Sequence, residues 1–227
     1  MSQYLESIPL DYSSFGNQII HRIENPRDFF RKGSARLAEI ANVVRSAFGR
    51  NLEDDDIYTH VTAPDEVYIL NTDESISAMA SYNRQIFSGI PCLVVEGIAI
   101  APEFQNKGLF KEITDIVIKD ELMICLRTQN PFMYKALQNY CAEIYPKDLH
   151  TPAAIIEVRK DFEKHLECKC DKSGILRGYY GGLFYETEPV HKEISPFFRK
   201  DLGINLDKGD GILAIGLRNL SFGGEKK

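Results

Sequence analysis

Between Val94 and Phe110 the chain reads Val-Val-Glu-Gly-Ile-Ala-Ile-Ala-Pro-Glu-Phe-Gln-Asn-Lys-Gly-Leu-Phe. The first half is a branched, strand-forming run with Glu96 and Gly97 in its middle; the second passes through Pro102 into the polar turn Gln105-Asn106-Lys107-Gly108. If that turn joins a strand to a helix, several backbone N–H groups converge on one concavity at the positive end of the helix dipole. That is the chemistry of phosphate binding. Lys107 adds a point charge beside it. Gly108 lets an anion approach the backbone, because a side chain there would block the concavity or forbid the conformation. An ordinary strand-to-helix turn accounts for the same residues and stands as the alternative.

The elements that must position this turn follow from periodicity. Ser34 caps a helix running to about Phe48, with Leu37, Ile40, Ala41, Val44 and Phe48 on one face and Gly49 as its stop. Val67 to Leu70 and Ile76 to Tyr82 form two strands around Asn71-Thr72-Asp73, a hairpin. Cys92 to Ile100 is a strand whose buried charge and glycine call for an explanation. A helix over about Gly108 to Lys119 puts Phe110, Ile113, Ile116 and Val117 inward, and a short strand follows at Leu122 to Leu126. Strand, loop, helix, strand is the order of a parallel crossover. Asn130-Pro131 opens another helix, with Phe132, Met133, Ala136, Leu137 and Tyr140 spaced inward. Ala153 to Leu166 is a further helix and Gly211 to Leu217 a late buried strand. Gly174 to Tyr185 is aromatic and alternating, and the stretch between is loop. The first thirty residues read as irregular, and the acidic run Glu53 to Asp56 as a turn with a solvated face.

Gln105, Asn106, Lys107, Gly108, Leu109, Phe110 resembles the coenzyme A signature of the GCN5-related N-acetyltransferases: Gln or Arg, two variable residues, Gly, one variable residue, then Gly or Ala. Phe110 replaces the small last residue, and its ring either crowds the phosphates or turns into the helix core. The preceding Ile98 to Pro102 is similar to that family's fourth strand running into its pyrophosphate loop. Thr128 to Tyr140 is similar to the helix after its fifth strand, and Asn130 matches the asparagine that begins that motif. The tyrosine usual near the cofactor sulfur would fall at Leu137, which cannot donate a proton. Tyr134 and Tyr140 are the nearby substitutes. These motifs, with the elements between them, span about residues 34 to 140.

The resemblance implies an α/β fold with a mixed, twisted central sheet flanked by helices, of the acyl-coenzyme A N-acyltransferase kind. It is expected to be a single domain over residues 1–227, with an N-terminal arm over about 1–33 and an extended C-terminal part over about 141–227. It implies transfer of an acetyl or other acyl group from acetyl-coenzyme A directly to an amine. A lysine-like amine has a pKa of about 10.4, so it must shed a proton before its lone pair can attack. Glu96 is the expected base, directly or through water, since it shares a strand face with Val94, Ile98 and Ile100 and the family often carries a carboxylate on this strand. Backbone N–H groups near Gly97 and Ile98 would meet the charge developing on the thioester oxygen. By the same resemblance, the backbone at Ile98 and Ile100 would hold the pantetheine amides. Residues Gln105 to Phe110 would hold the diphosphate, and Asn130 would either bond the cofactor or cap its own helix. A non-catalytic acyl-coenzyme A binding module and a protein-interaction domain retaining the fold are the other readings.

Composition narrows the field. There are 27 basic and 33 acidic residues, a net charge of −6, with the signs interleaved. Neither nucleic acid nor a membrane surface is the expected partner; a small-molecule or peptide amine is. No window holds enough apolar residues to cross a bilayer. Five cysteines, an odd number, three of them in apolar patterns, suggest a reducing compartment, cytoplasmic or nuclear, with the cytoplasm expected. Cys168, Cys170 and His165 lack zinc-site spacing, no metal is expected, and no nucleotide-triphosphate loop or serine elbow is present. Asp54 to Asp56 is better read as solvated than as a cation site. Tyr179, Tyr180, Phe184 and Tyr185 line a substrate cleft, pack in the core or form a self-association edge. Oligomeric state and the acceptor amine are not legible.

Overall fold

A computed structural model describes residues 6–10, 18–71, 75–148 and 150–218. In chain order the elements are β1 (Glu6–Leu10), β2 (Gln18–Ile23), α1 (Pro26–Phe29), α2 (Ala35–Phe48), α3 (Asp54–Thr62), β3 (Glu66–Asn71), β4 (Ile76–Phe87) and β5 (Ile90–Ile100). They continue with α4 (Leu109–Val117), β6 (Met123–Thr128), α5 (Pro131–Tyr140), β7 (Glu143–Tyr145), α6 (Ala153–His165), β8 (Ile175–Leu176), α7 (Ile194–Pro196) and β9 (Gly211–Leu217). The fold is mixed α/β, an open sheet flanked by helices. The expected Thr72-Asp73 turn lies outside the described residues.

The chain gathers into two compact units. The first takes the described residues up to Arg84, Val95–Val117 and Tyr185–Thr187. Its strands run in the order β1-β2-β3-β4-β5, with β1 to β4 antiparallel in succession. Its core places Ile40, Val44, Ile57 and Val61 of α2 and α3 against Val67, Ile69, Met79 and Ala99 of the sheet. Helix α2 begins and ends where its sequence signals lie. Ser34 Oγ accepts the Leu37 N–H, and Gly49 closes the helix in the left-handed conformation at φ 62°.

Two expectations fail in this unit. The first thirty residues are not wholly irregular, since β1, β2 and α1 lie within them; β2 pairs with β3 along Ile19 to Ile23. The acidic run is not a turn but the first turn of α3, where Asp54, Asp55 and Asp56 complement the exposed N–H groups. Arg45 and Lys32 pair with Asp54 and Asp55. A cavity of about 250 Å³ beside them is lined by Lys32, Ser34, Leu37, Asp54 and Asp55, and holds none of the residues expected to be catalytic or to bind the cofactor.

The second unit takes Gln85–Val94, Ile118–Phe184 and the described residues from Glu188 onward. Its strand order is β5-β6-β9-β7, with β8 on β9. The Leu122 N–H donates to the Pro91 carbonyl at 2.9 Å, so β5 and β6 begin side by side and run the same way, the expected crossover. Strand β9 lies antiparallel to β6 and β7. Cys92, Val94, Cys125, Val158, Phe162 and Leu213 are core here, both cysteines serving as small apolar residues. The stretch expected as loop before β9 holds short helical turns at Ile194–Pro196, Phe197–Asp201 and Leu206–Lys208.

Candidate active site

In the first unit, the C-terminal half of β5 alternates. Val95 and Ala99 are buried, whereas Glu96, Ile98 and Ile100 are only half-buried on the other face. The neighbouring strand β4 explains the charge and the glycine. Asn83 Nδ2 donates to Glu96 Oε1 at 2.8 Å, so one carboxylate oxygen is fixed by a neutral donor. A side chain at Gly97 would stand 3.3 Å from Ser81 Oγ, and that hydroxyl reaches the Gly97 carbonyl at 3.4 Å. Asn83 and Ser81 were not singled out from the sequence. Their signal is the alternating polar positions Ser81, Asn83 and Gln85 in the second half of β4.

Beyond Ile100 a short turn of helix, Pro102–Phe104, leads to Gln105. The Gln105 Nε2 donates back to the Ile100 carbonyl at 2.8 Å, fastening the turn to the strand end. Asn106 and Gly108 then take left-handed conformations, φ 59° and φ 87°. These reversals expose backbone donors before α4: among the described residues, the N–H groups of Asn106, Gly108 and Leu109 have no acceptor. A Cβ on Gly108 would meet only Glu112 Oε1, at 3.8 Å. Leu109 and Phe110 are buried, so the Phe110 ring turns inward and contributes only its backbone to the turn. Lys107 lies over the Phe104 ring, 5.4 Å from its centroid. Unclaimed N–H groups at a helix start are donors of the kind that bind phosphate oxygens.

In the second unit, Asn130 Oδ1 accepts the Phe132 N–H at 2.9 Å, and the Asn130 N–H donates to Thr128 Oγ1 at 2.8 Å. Its oxygen is thus the cap of α5, which leaves the side-chain NH2 as the group able to meet a ligand. Tyr134 is 1% exposed, and its hydroxyl donates to the Pro146 carbonyl at 2.5 Å. Burial raises its pKa well above the usual phenol value. Tyr134 therefore fastens α5 to the chain after β7. Leu137 is fully buried, and Tyr140 is half-buried at the end of α5.

Gln129, one residue before Asn130, is a further feature that the sequence did not single out. It is 2% exposed; its Nε2 donates to the carbonyls of Gly182 and Asp210, and its Oε1 accepts the Phe184 N–H. These bonds hold the aromatic segment in which Tyr179 and Tyr180, and Tyr180 and Phe184, form ring pairs. The Tyr180 ring lies over Gly211, where a Cβ would clash at 2.6 Å. Tyr180 is half-buried, with its ring packed against the start of β9.

No protein-family model matches the chain, and no curated protein matches it. Among solved structures it is similar to the ribosomal-protein-S18-alanine N-acetyltransferase from Escherichia coli, at 13% identity and a TM-score of 0.43, over 92% of this chain and 98% of that one. It is similar to an IAA acetyltransferase from Bacillus cereus at 13% identity and 0.46, over 88% and 99%. A GNAT family acetyltransferase from Elizabethkingia anophelis, solved with acetyl-CoA bound, stands at 15% and 0.45, over 89% and 99%. Among the described residues no helix is long and apolar enough to cross a membrane, and no group of His, Cys, Asp and Glu is placed to hold a metal ion.

Proposed function

We propose that this chain is an acyl-coenzyme A dependent N-acyltransferase whose diphosphate cradle is the turn Gln105 to Phe110. The observation that carries this reading is the set of unclaimed N–H groups on Asn106, Gly108 and Leu109 at the start of α4, directly after a strand bearing Glu96. Backbone donors at Gly108 and Leu109, reinforced by the dipole of α4, would bind the phosphates, with Lys107 adjoining. The backbone at Ile98 and Ile100 would hold the pantetheine amides. Bound acetyl-coenzyme A would supply an activated thioester. Glu96, held by Asn83, would accept the amine proton, directly or through water, as the nitrogen bonds the acyl carbon. The N–H groups near Gly97 and Ile98 would meet the charge developing on the acyl oxygen. As the carbon–sulfur bond breaks, the departing sulfur takes a proton from water. The acceptor is a small-molecule or peptide amine.

A second reading, cofactor binding without transfer, is favoured by Leu137 standing where a proton donor would be expected and by the commitment of Tyr134 to Pro146. One experiment separates them: titration with coenzyme A, then thiol release from acetyl-coenzyme A across a panel of amines. Binding with amine-dependent thiol release supports transfer, binding without release supports the second reading, and absence of binding overturns both.

A further inference from the structure

Resting on the diphosphate reading, we propose that Glu112 is a proton-carrying contact of that site: its carboxyl, in the acid form, donates a hydrogen bond to a phosphate oxygen seated over Gly108. Glu112 lies in the first turn of the nine-residue helix α4 and is only 8% exposed. Its Oε2 is buried with no hydrogen-bond partner among the described residues. Its Oε1 comes within 3.8 Å of the place a Gly108 side chain would occupy, so the carboxyl is aimed at the space over the cradle.

A buried carboxylate with an unclaimed oxygen is costly, and beside a diphosphate it would repel its ligand. The neutral acid lowers both penalties: with its proton on Oε1, the oxygen nearer Gly108, it donates to the anion, and the buried Oε2 carries no charge. Burial, the largest influence, lifts the Glu112 carboxyl above its ordinary value; Lys111 draws it down and Asp115 lifts it further. Lys111 and Asp115 are paired with each other at 2.5 Å on the same helix. On the adjoining turn the charged groups are Glu103 and Lys107. From the sheet, Arg84 meets the opposite end of α4 at the Val117 carbonyl and is neutralised by Glu66.

The consequence is proton uptake on cofactor binding and an affinity that falls as the pH rises. Above the pKa of free Glu112, each pH unit should weaken coenzyme A binding by up to about tenfold. Glu112→Gln, which presents an N–H donor at every pH, should lose that share of the pH dependence. Calorimetric titration of the intact chain with coenzyme A, at several pH values and in buffers of different ionisation enthalpy, reads both quantities. Uptake of up to one proton by the native chain, abolished in Glu112→Gln, is the result expected. Binding with the same proton count and the same pH slope in both proteins overturns the role of Glu112 while leaving the diphosphate reading intact. Absence of binding in the native chain removes the diphosphate reading and this inference with it. Should the variant fail to fold, the buffer series on the native chain decides alone, and binding without proton uptake overturns the proposal.

Discussion

Asn83 and Glu96 are joined across β4 and β5 by a hydrogen bond of 2.8 Å from amide nitrogen to carboxylate oxygen. The bond ties the one charged side chain of the β5 segment Val95 to Ile100 to the neighbouring strand. If Glu96 is the base, Glu96→Gln lowers turnover near neutral pH by about 10²- to 10⁴-fold while coenzyme A affinity stays within a factor of a few. Steady-state thiol release paired with calorimetric binding checks this; unchanged turnover removes Glu96 from the mechanism. Asn83→Ala should give a smaller loss accompanied by a shifted pH profile, the mark of a positioning residue.

Gly108 has φ 87°, a conformation that an L-residue adopts at a cost of roughly 1 kcal/mol or more. Gly108→Ala is expected to weaken coenzyme A binding at least tenfold, because the chain must either hold the strained turn or turn its donors away. Retained affinity with a lowered melting temperature would show that the turn serves the fold alone.

Tyr134→Phe removes the hydroxyl bonded to Pro146 and should cost about 1–2 kcal/mol of stability, read by denaturant titration, with turnover nearly unchanged. A large loss of turnover in a well-folded variant would return Tyr134 to the proton-donor role.

Glu66 accepts from Arg22, Arg84 and Tyr68. Burial alone would raise its pKa, but these bonds outweigh burial and lower it to about 2 from an ordinary 4.5. The sign follows from the depressed value: the contribution is complete above about pH 4.5 and is lost as the pH falls toward 2. It amounts to roughly 3 kcal/mol. Denaturant titrations from pH 6 to pH 2 should show that Glu66→Gln lacks this share of the acid-dependent loss, although it is less stable at pH 6 because Arg22 and Arg84 lose their carboxylate.

Gln129→Ala leaves the Gly182 and Asp210 carbonyls and the Phe184 N–H without their partner. A loss of about 2–4 kcal/mol is expected, with faster amide exchange over residues 178–184. Exchange unchanged across that segment would show that its aromatic packing holds it without Gln129.

Much of the chain is determined locally, and there the sequence was sufficient. Ser34, Gly49, Asn130 and Pro131 mark helix ends because a cap bonds within a few residues of itself, and the apolar spacing of α2 and α4 records one buried face. The strand, turn and helix around Gly108 were legible for the same reason. Local signals misled where a charge run doubled as a helix start at Asp54, and where the strands of the first thirty residues depend on pairing with β3. Only tertiary structure decided that Asn83 meets Glu96, 13 positions apart, and that Tyr134 spends its proton on Pro146. It also decided that Gln129 binds the carbonyl of Asp210, 81 positions away. A hydrogen bond between distant positions is set by strand register and by burial, and neither is written in the residues that make it.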